Sequence, residues 1–233
     1  MLKLSSKSIL IIGFVASLFI DCSGSKSKVQ EQKNISDTLA VKVNEAKNTP
    51  AVDTAKISFD ISIEGYKATQ LGQAVYSGDL AKVKDLLKSG ASNEKCLSDG
   101  TYIYDILYTS IIFDKIDMFK YVISNKLYSS VNVVYTEESE TPLTAACNIS
   151  NCKESFEMAD SLVALGANVN GAGASGGDIT MYPIINAVNN NNADLVKLLI
   201  QHGANKEIKN EKGETPLNIA QKKEFNNIVD ILQ

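Results

Sequence analysis

Few residues in this chain are of the types that do chemistry, and their spacing suits it poorly. The 233 residues include one histidine, His202. A histidine acts as general base or metal ligand only beside an orienting acid or further ligands. No second histidine or acidic cluster stands at ligand spacing from it. Gly171-Ala-Gly173-Ala-Ser-Gly176 satisfies a G-x-G-x-x-G pattern. That pattern cradles pyrophosphate where it joins a strand to a helix inside a β-α-β unit. Here it precedes Tyr182-Pro183 and reads as a lengthened loop between helical segments. The cysteines stand at 22, 96, 147 and 152. Cys147 and Cys152 enclose a loop short enough for a disulfide, as exported chains form. Cys147 also falls where a small buried side chain is wanted, a place that a free thiol fills well. The second reading is preferred, and Cys96 is left over in both. No sequence marks a nucleophile turn, so no catalytic residue, metal or cofactor is assigned.

What the chain does repeat is a helix-pair phrase. It runs Thr69-Gln-Leu-Gly-Gln-Ala74 to Gly90-Ala91, and Thr141-Pro-Leu-Thr-Ala-Ala146 to Gly166-Ala-Asn168. It returns as Tyr182-Pro-Ile-Ile-Asn-Ala187 to Gly203-Ala-Asn205, and as Thr215-Pro-Leu-Asn-Ile-Ala220 to Leu232. A divergent copy is read from Thr101-Tyr-Ile, closing at Lys126 where a glycine would stand. Proline suits the first turn of a helix, where its missing N–H has no partner to lose. A threonine before it caps the open amides, which Tyr182 cannot do. Val196, Leu198 and Leu199 make the apolar stripe of a second helix, and Gly90, Gly166 and Gly203 stand where a helix closes in a left-handed residue. A fixed-period phrase of this kind predicts a solenoid, because no single unit can bury its apolar face alone.

The Thr-Pro-Leu openings and Gly-Ala-Asn closings resemble the ankyrin repeat, most closely at Thr215-Pro-Leu and Gly203-Ala-Asn205. The resemblance implies an all-α, ankyrin-like solenoid of helix–turn–helix repeats joined by β-hairpin loops, with about five repeats over residues 68–233. It also implies partner binding on a concave face, by hairpin tips and by the eighth and ninth positions of each first helix. Counted from each opening residue, those positions include Tyr76, then Tyr108 and Thr109, then Asn148, then Asn189 and Asn190, then Lys222. Hairpin tips add Glu137, Glu138 and Glu140, and further on Asp178 and Met181. Tyr102, Tyr104, Tyr108, Tyr128 and Tyr135 crowd the same region as the acidic tip. Exposed tyrosines anchor interfaces and the glutamates would steer a basic partner, whereas buried tyrosines would fill the divergent repeat's core.

The N-terminal part differs in character. Residues 1–21 place two lysines before a twelve-residue apolar run, Ile9 to Ile20, broken by Gly13 and Ser17. That run is too short to span a bilayer and reads as an export signal. With Cys22 directly after it, Leu18-Phe-Ile-Asp-Cys22 resembles a bacterial lipoprotein signal, in which the cysteine is lipidated and becomes the N-terminus. Phe19 and Asp21 depart from that pattern, which favours leucine and a small residue there. The other readings are a signal cut near Ala16-Ser17, or an uncleaved anchor. Residues 22–56 then form a polar tether, since they cannot bury enough surface to offset ordering. Ile57, Phe59, Ile61 and Ile63 alternate with polar residues, predicting a short strand over 57–67 that covers the first repeat.

Charge follows the same division. Residues 57–233 hold 15 lysines against 22 acids, a balance of −7, and residues 23–56 carry +2. An acidic domain whose basic residues are all lysine excludes a nucleic-acid role, which needs positive charge and gains from bidentate arginine. The sequence therefore predicts a non-enzymatic, monomeric protein–protein interaction module, lipid-anchored at the cell envelope on the periplasmic side or the cell surface. The alternatives are an exported ankyrin-like protein that shields a periplasmic enzyme, and a hydrolase using the glycine-rich loop as a lid.

Overall fold

A computed structural model describes residues 58–137, 139–150, 152–172 and 181–233. The alternating stretch begins the described chain as β1 (Ile61–Ile63), which turns through Glu64-Gly65 into β2 (Tyr66–Ala68). Both turn residues have positive φ, 45° and 90°. Two left-handed residues in succession match the twist of a two-residue hairpin. β2 pairs in turn with β3 (Leu97–Ser98), and β3 with β4 (Ile103–Tyr104), giving an antiparallel sheet in the order β1-β2-β3-β4. This small sheet is an addition to an otherwise helical fold.

The helices come in antiparallel pairs. They are α1 (Gln70–Ser77) with α2 (Leu80–Lys88), α3 (Ile106–Ile112) with α4 (Ile116–Ser124), and α5 (Pro142–Cys147) with α6 (Cys152–Ala164). α7 (Pro183–Asn189) with α8 (Ala193–Gln201), and α9 (Pro216–Lys222) with α10 (Asn226–Leu232), complete the stack. α1, α3, α5, α7 and α9 pack side by side as one row, and α4, α6, α8 and α10 as a second. Val196, Leu198 and Leu199 are all buried between the rows. The first helices start where the phrase starts. Thr69 accepts from Gly72 N–H, and reciprocal capping boxes join Thr141 to Thr144 and Thr215 to Asn218. Tyr182 makes no side-chain cap. Gly72 lets α1 lie against the backbone that leads into β3, for a Cβ there would stand 2.1 Å from the Cys96 carbonyl oxygen.

The second repeat corrects the register expected from Thr101. Its first helix opens four residues later, where the Asp105 carboxylate accepts from Tyr108 N–H at 2.8 Å. Residues 103–104, inside the expected opening, are instead strand β4. Asp105 lies 36 residues after Thr69 and 36 before Thr141. In this register Leu107 and Ser110 take the buried places that Leu143 and Ala146 hold in the next repeat.

Lys126 ends the second repeat at φ 53°, in the place where Gly90, Gly166 and Gly203 have φ of 96°, 90° and 88°. The left-handed conformation costs a residue with a Cβ roughly 1–2 kcal/mol, while glycine loses about 0.4–1 kcal/mol more on leaving the unfolded chain. Lys126→Gly is therefore expected to raise the unfolding free energy by up to about 1 kcal/mol, read as a higher urea midpoint at constant m, and Gly203→Lys to lower it. A lower midpoint for Lys126→Gly would contradict this account.

Candidate interaction surface

The first helices pack side by side, and their C-terminal ends carry most of the polar side chains predicted to bind. At the end of α1, Tyr76 is half-buried, its edge against Phe113 with ring centroids 4.8 Å apart. Its hydroxyl donates to Glu64 Oε1 at 2.9 Å, tying the first hairpin to the row. Asn148 caps α5 and is exposed. Asn189 is exposed but accepts from Lys223 Nζ at 2.9 Å, and Asn190 donates through Nδ2 to the Cys147 carbonyl at 3.1 Å. These asparagines are thus partly committed to holding adjacent repeats together. Lys222 is exposed and pairs with Glu214 at 2.8 Å.

Two predicted contacts are not on the surface. Tyr108 is 4% exposed and Thr109 is fully buried, its hydroxyl donating to the Asp105 carbonyl at 2.6 Å. The cause is the register shift: both lie in the first turn of α3, and the end of the helix falls at Ile112 and Phe113. Of the tip residues, Glu137 is exposed, whereas Glu140 is half-buried and accepts from the Tyr108 hydroxyl. Met181 is half-buried beside the start of α7. Cys22, Glu138 and Asp178 lie outside the described residues.

Tyr108 belongs instead to an aromatic cluster that joins two repeats. It stacks on Tyr104 at 4.8 Å and meets Tyr135 at 4.3 Å, while Tyr66 stands edge-on to Tyr104 at 5.8 Å. Each inner hydroxyl has its own carboxylate: Tyr104 donates to Asp99 at 2.5 Å, Tyr135 to Asp105 at 2.9 Å, and Tyr108 to Glu140. Burial first, then the facing carboxylates, push these three phenols far up, so they stay protonated donors. Tyr102 and Tyr128 are half-buried. The core reading of the tyrosines therefore holds for Tyr104, Tyr108 and Tyr135.

The chemistry-bearing residues do not converge. Cys96 and Cys147 are free and buried, and burial pushes both thiols upward, away from nucleophilic thiolate. His202 is exposed at the end of α8. Among the described residues no group of His, Cys, Asp and Glu is arranged to hold a metal, and no helix is long and apolar enough to cross a membrane.

Comparison with known proteins fixes the kind of repeat. Residues 173–233, which take in α7 to α10, match the family model described as ankyrin repeats (3 copies). Ankyrin repeats are present in this chain. A protein named as E3 ubiquitin-protein ligase XBAT35, of Arabidopsis thaliana, is 38% identical over 98 residues. The match covers 41% of this chain and 20% of that protein's length. Together with the two rows of helices, the ankyrin repeats give an ankyrin-like helical repeat fold and imply a protein–protein interaction module.

One junction between repeats holds an unexpected pair of acids. Asp114, at φ 53° in the turn from α3 to α4, shares a hydrogen bond with Glu154 in the first turn of α6. Its Oδ1 is buried without a hydrogen-bond partner among the described residues. Burial first, then Glu154, lift its carboxyl from 3.8 to about 7, against a weaker downward pull from Lys115.

Two variants probe these arrangements. Tyr108→Ala removes a buried aromatic ring and is expected to cost about 3–5 kcal/mol of stability, read as a lowered denaturation midpoint. A midpoint close to wild type would mean that the cluster is not core. For Asp114, a folded pKa above the unfolded one means that its stabilising contribution is complete below pH 3.8 and is lost as pH rises to about 7. Asp114→Asn keeps a residue tolerant of left-handed φ and removes the titration. It should raise Tm at pH 8, change it little at pH 4, and flatten the profile between; an equal shift at both pH values would refute the shared proton.

Proposed function

We propose that this chain is a non-enzymatic protein-binding module held at a bacterial envelope by lipid on Cys22, facing the periplasm or the cell surface. Its partner would lie along the concave face that ankyrin repeats imply, on the row of first-helix ends. The observation that carries this reading is that row. α1, α3, α5, α7 and α9 stand side by side, and exposed Asn148, Asn189 and Lys222 mark its C-terminal ends together with half-buried Tyr76. Glu137 extends it toward a hairpin tip. A row of polar ends on a stiff stack is preorganised, so binding costs little conformational entropy. The tether of residues 22–56 would give the module reach, and the multiple acyl chains of a lipoprotein would hold it durably.

Crosslinked capture from the native cells tests both halves. Tagged full-length protein is expected in the membrane fraction with one stoichiometric protein partner, and Cys22→Ala should move the protein to the soluble fraction. Asn148→Arg with Lys222→Glu should reduce capture about tenfold, close to 1.4 kcal/mol, with at most a small drop in melting temperature from loss of the exposed Lys222–Glu214 pair. Capture unaffected by that double variant would remove the concave site. Membrane association unaffected by Cys22→Ala would remove the anchor.

A further inference from the structure

The two most exposed large apolar side chains among the described residues are neighbours across one groove. Ile103 is 51% exposed on β4, and Val134 is 48% exposed on the segment that leads into the next hairpin. Both line a cleft of about 240 Å³ with Tyr102, Val133, Glu94 and Asp105. Its floor is the hydrogen bond from Tyr135 to Asp105, which holds the two hairpins together at that depth. Above it they part. The sheet stops at β4, although residues 133–134 border the same cleft. Ile103 points away from the aromatic cluster, since alternation along the strand sends Tyr104 inward and Ile103 outward.

The charge in the groove is of one sign. Glu94 is exposed at the rim, and Asp105 accepts only from a phenol and backbone amides in its hydrogen bonds. The ion pairs among the described residues are Lys120–Glu157, Lys197–Asp194 and Lys222–Glu214, so neither groove carboxylate has a lysine within 4 Å. Asp99, Glu137 and Glu140 outnumber exposed Lys95 on the same two hairpins, so the local balance is negative. An edge strand, two facing apolar side chains and two carboxylates without a cation together describe an occupant that is extended, partly apolar and positively charged.

We propose that this groove docks an extended, lysine-bearing peptide segment of a protein partner, laid beside β4. Its apolar side chains would rest on Ile103 and Val134, and its ammonium groups would lie by Glu94 at the rim, above the buried Asp105. Strand addition at a sheet edge supplies backbone hydrogen bonds, and the flanking side chains supply selectivity. The site rests on the reading of the chain as an interaction module, but it lies on the hairpins, away from the row of helix ends.

The test uses purified full-length protein and two fluorescein-labelled nonapeptides, one alternating valine with lysine and one alternating valine with glutamate. Anisotropy should show saturable binding of the lysine peptide, weakening with salt, and none of the glutamate peptide. Ile103→Lys and Glu94→Lys should each weaken binding at least tenfold, while Glu211→Lys, an equal charge change on the last hairpin, should leave it within twofold. Melting profiles confirm that all three variants fold, as substitutions at exposed positions should. No saturable binding by wild type, or equal loss in all three variants, overturns the groove. If Ile103→Lys and Glu94→Lys still capture the cellular partner while Asn148→Arg with Lys222→Glu does not, the concave reading stands and partner docking in the groove fails.

Discussion

Every element of this molecule depends on burial that its neighbour must provide. Apart from α6, with 13 residues, the described helices have nine or fewer. Helices of that length are marginal alone in water, so packing rather than propensity holds them. The packing repeats with little variation: two residues after the opening residue Leu71, Leu107, Leu143 and Ile184 are buried and Leu217 is half-buried, and three residues further on Ala74, Ser110, Ala146, Ala187 and Ala220 are buried. The small side chains at the second of these places let the first helices approach closely. Stability in such a stack is a sum over neighbours, and the ends need covers. At the N-terminal end β1 lies beside α1 with Gln70, Gln73, Ser77 and Lys82, a polar outer face suited to water.

Burial alone does not fix how one repeat sits on the next, and here polar ties do so. Asn132 donates through Nδ2 to the Gly166 carbonyl and accepts from Asn168 N–H; Asn170 accepts from Asn205 N–H at 2.8 Å. Along the row of first helices Asn186 donates to the Thr144 carbonyl, and Asn190 to that of Cys147. Each such bond contributes roughly 1 kcal/mol, but its directionality sets the stagger between repeats. Between the second and third repeats the aromatic cluster adds to this role. Three phenol–carboxylate bonds in a nearly dry setting are specific in a way that leucine packing is not.

The fold was legible where local chemistry and the repeat agreed. Thr-Pro-Leu at 141 and 215 caps a helix by itself, and the closing glycines are required by φ near 90°. The second repeat was misplaced because Thr101-Tyr-Ile imitates an opening, whereas aspartate, an equally good cap, does the work at Asp105 without a proline beside it. That four-residue slip turned buried Tyr108 and Thr109 into apparent surface contacts. The hairpin at Glu64-Gly65 was missed although a left-handed glycine in a two-residue turn was there to be read. The Asp114–Glu154 and Tyr108–Glu140 pairs had no local sign, since they join residues 40 and 32 positions apart through the stacking itself.

What remains available for binding is what the scaffold does not consume. Asparagine would ordinarily be a versatile contact residue, yet several of those here are spent on neighbouring backbone. Tyrosine would ordinarily be the anchor, yet three of the crowded tyrosines are spent on the core. The surface left over is therefore dominated by helix-end polar groups and by acidic side chains, on a domain whose cations are all lysine. Acidic groups on a stiff scaffold select partners more by sign and approach than by depth of burial, and their influence weakens with salt. Lasting affinity must then come from the few exposed apolar positions, because desolvated apolar contact rather than rim charge slows dissociation. Ile103 and Val134 are the largest such neighbours among the described residues, and they stand within the acidic field of two hairpins. Attraction and adhesion thus coincide at one junction, the one built by tyrosines.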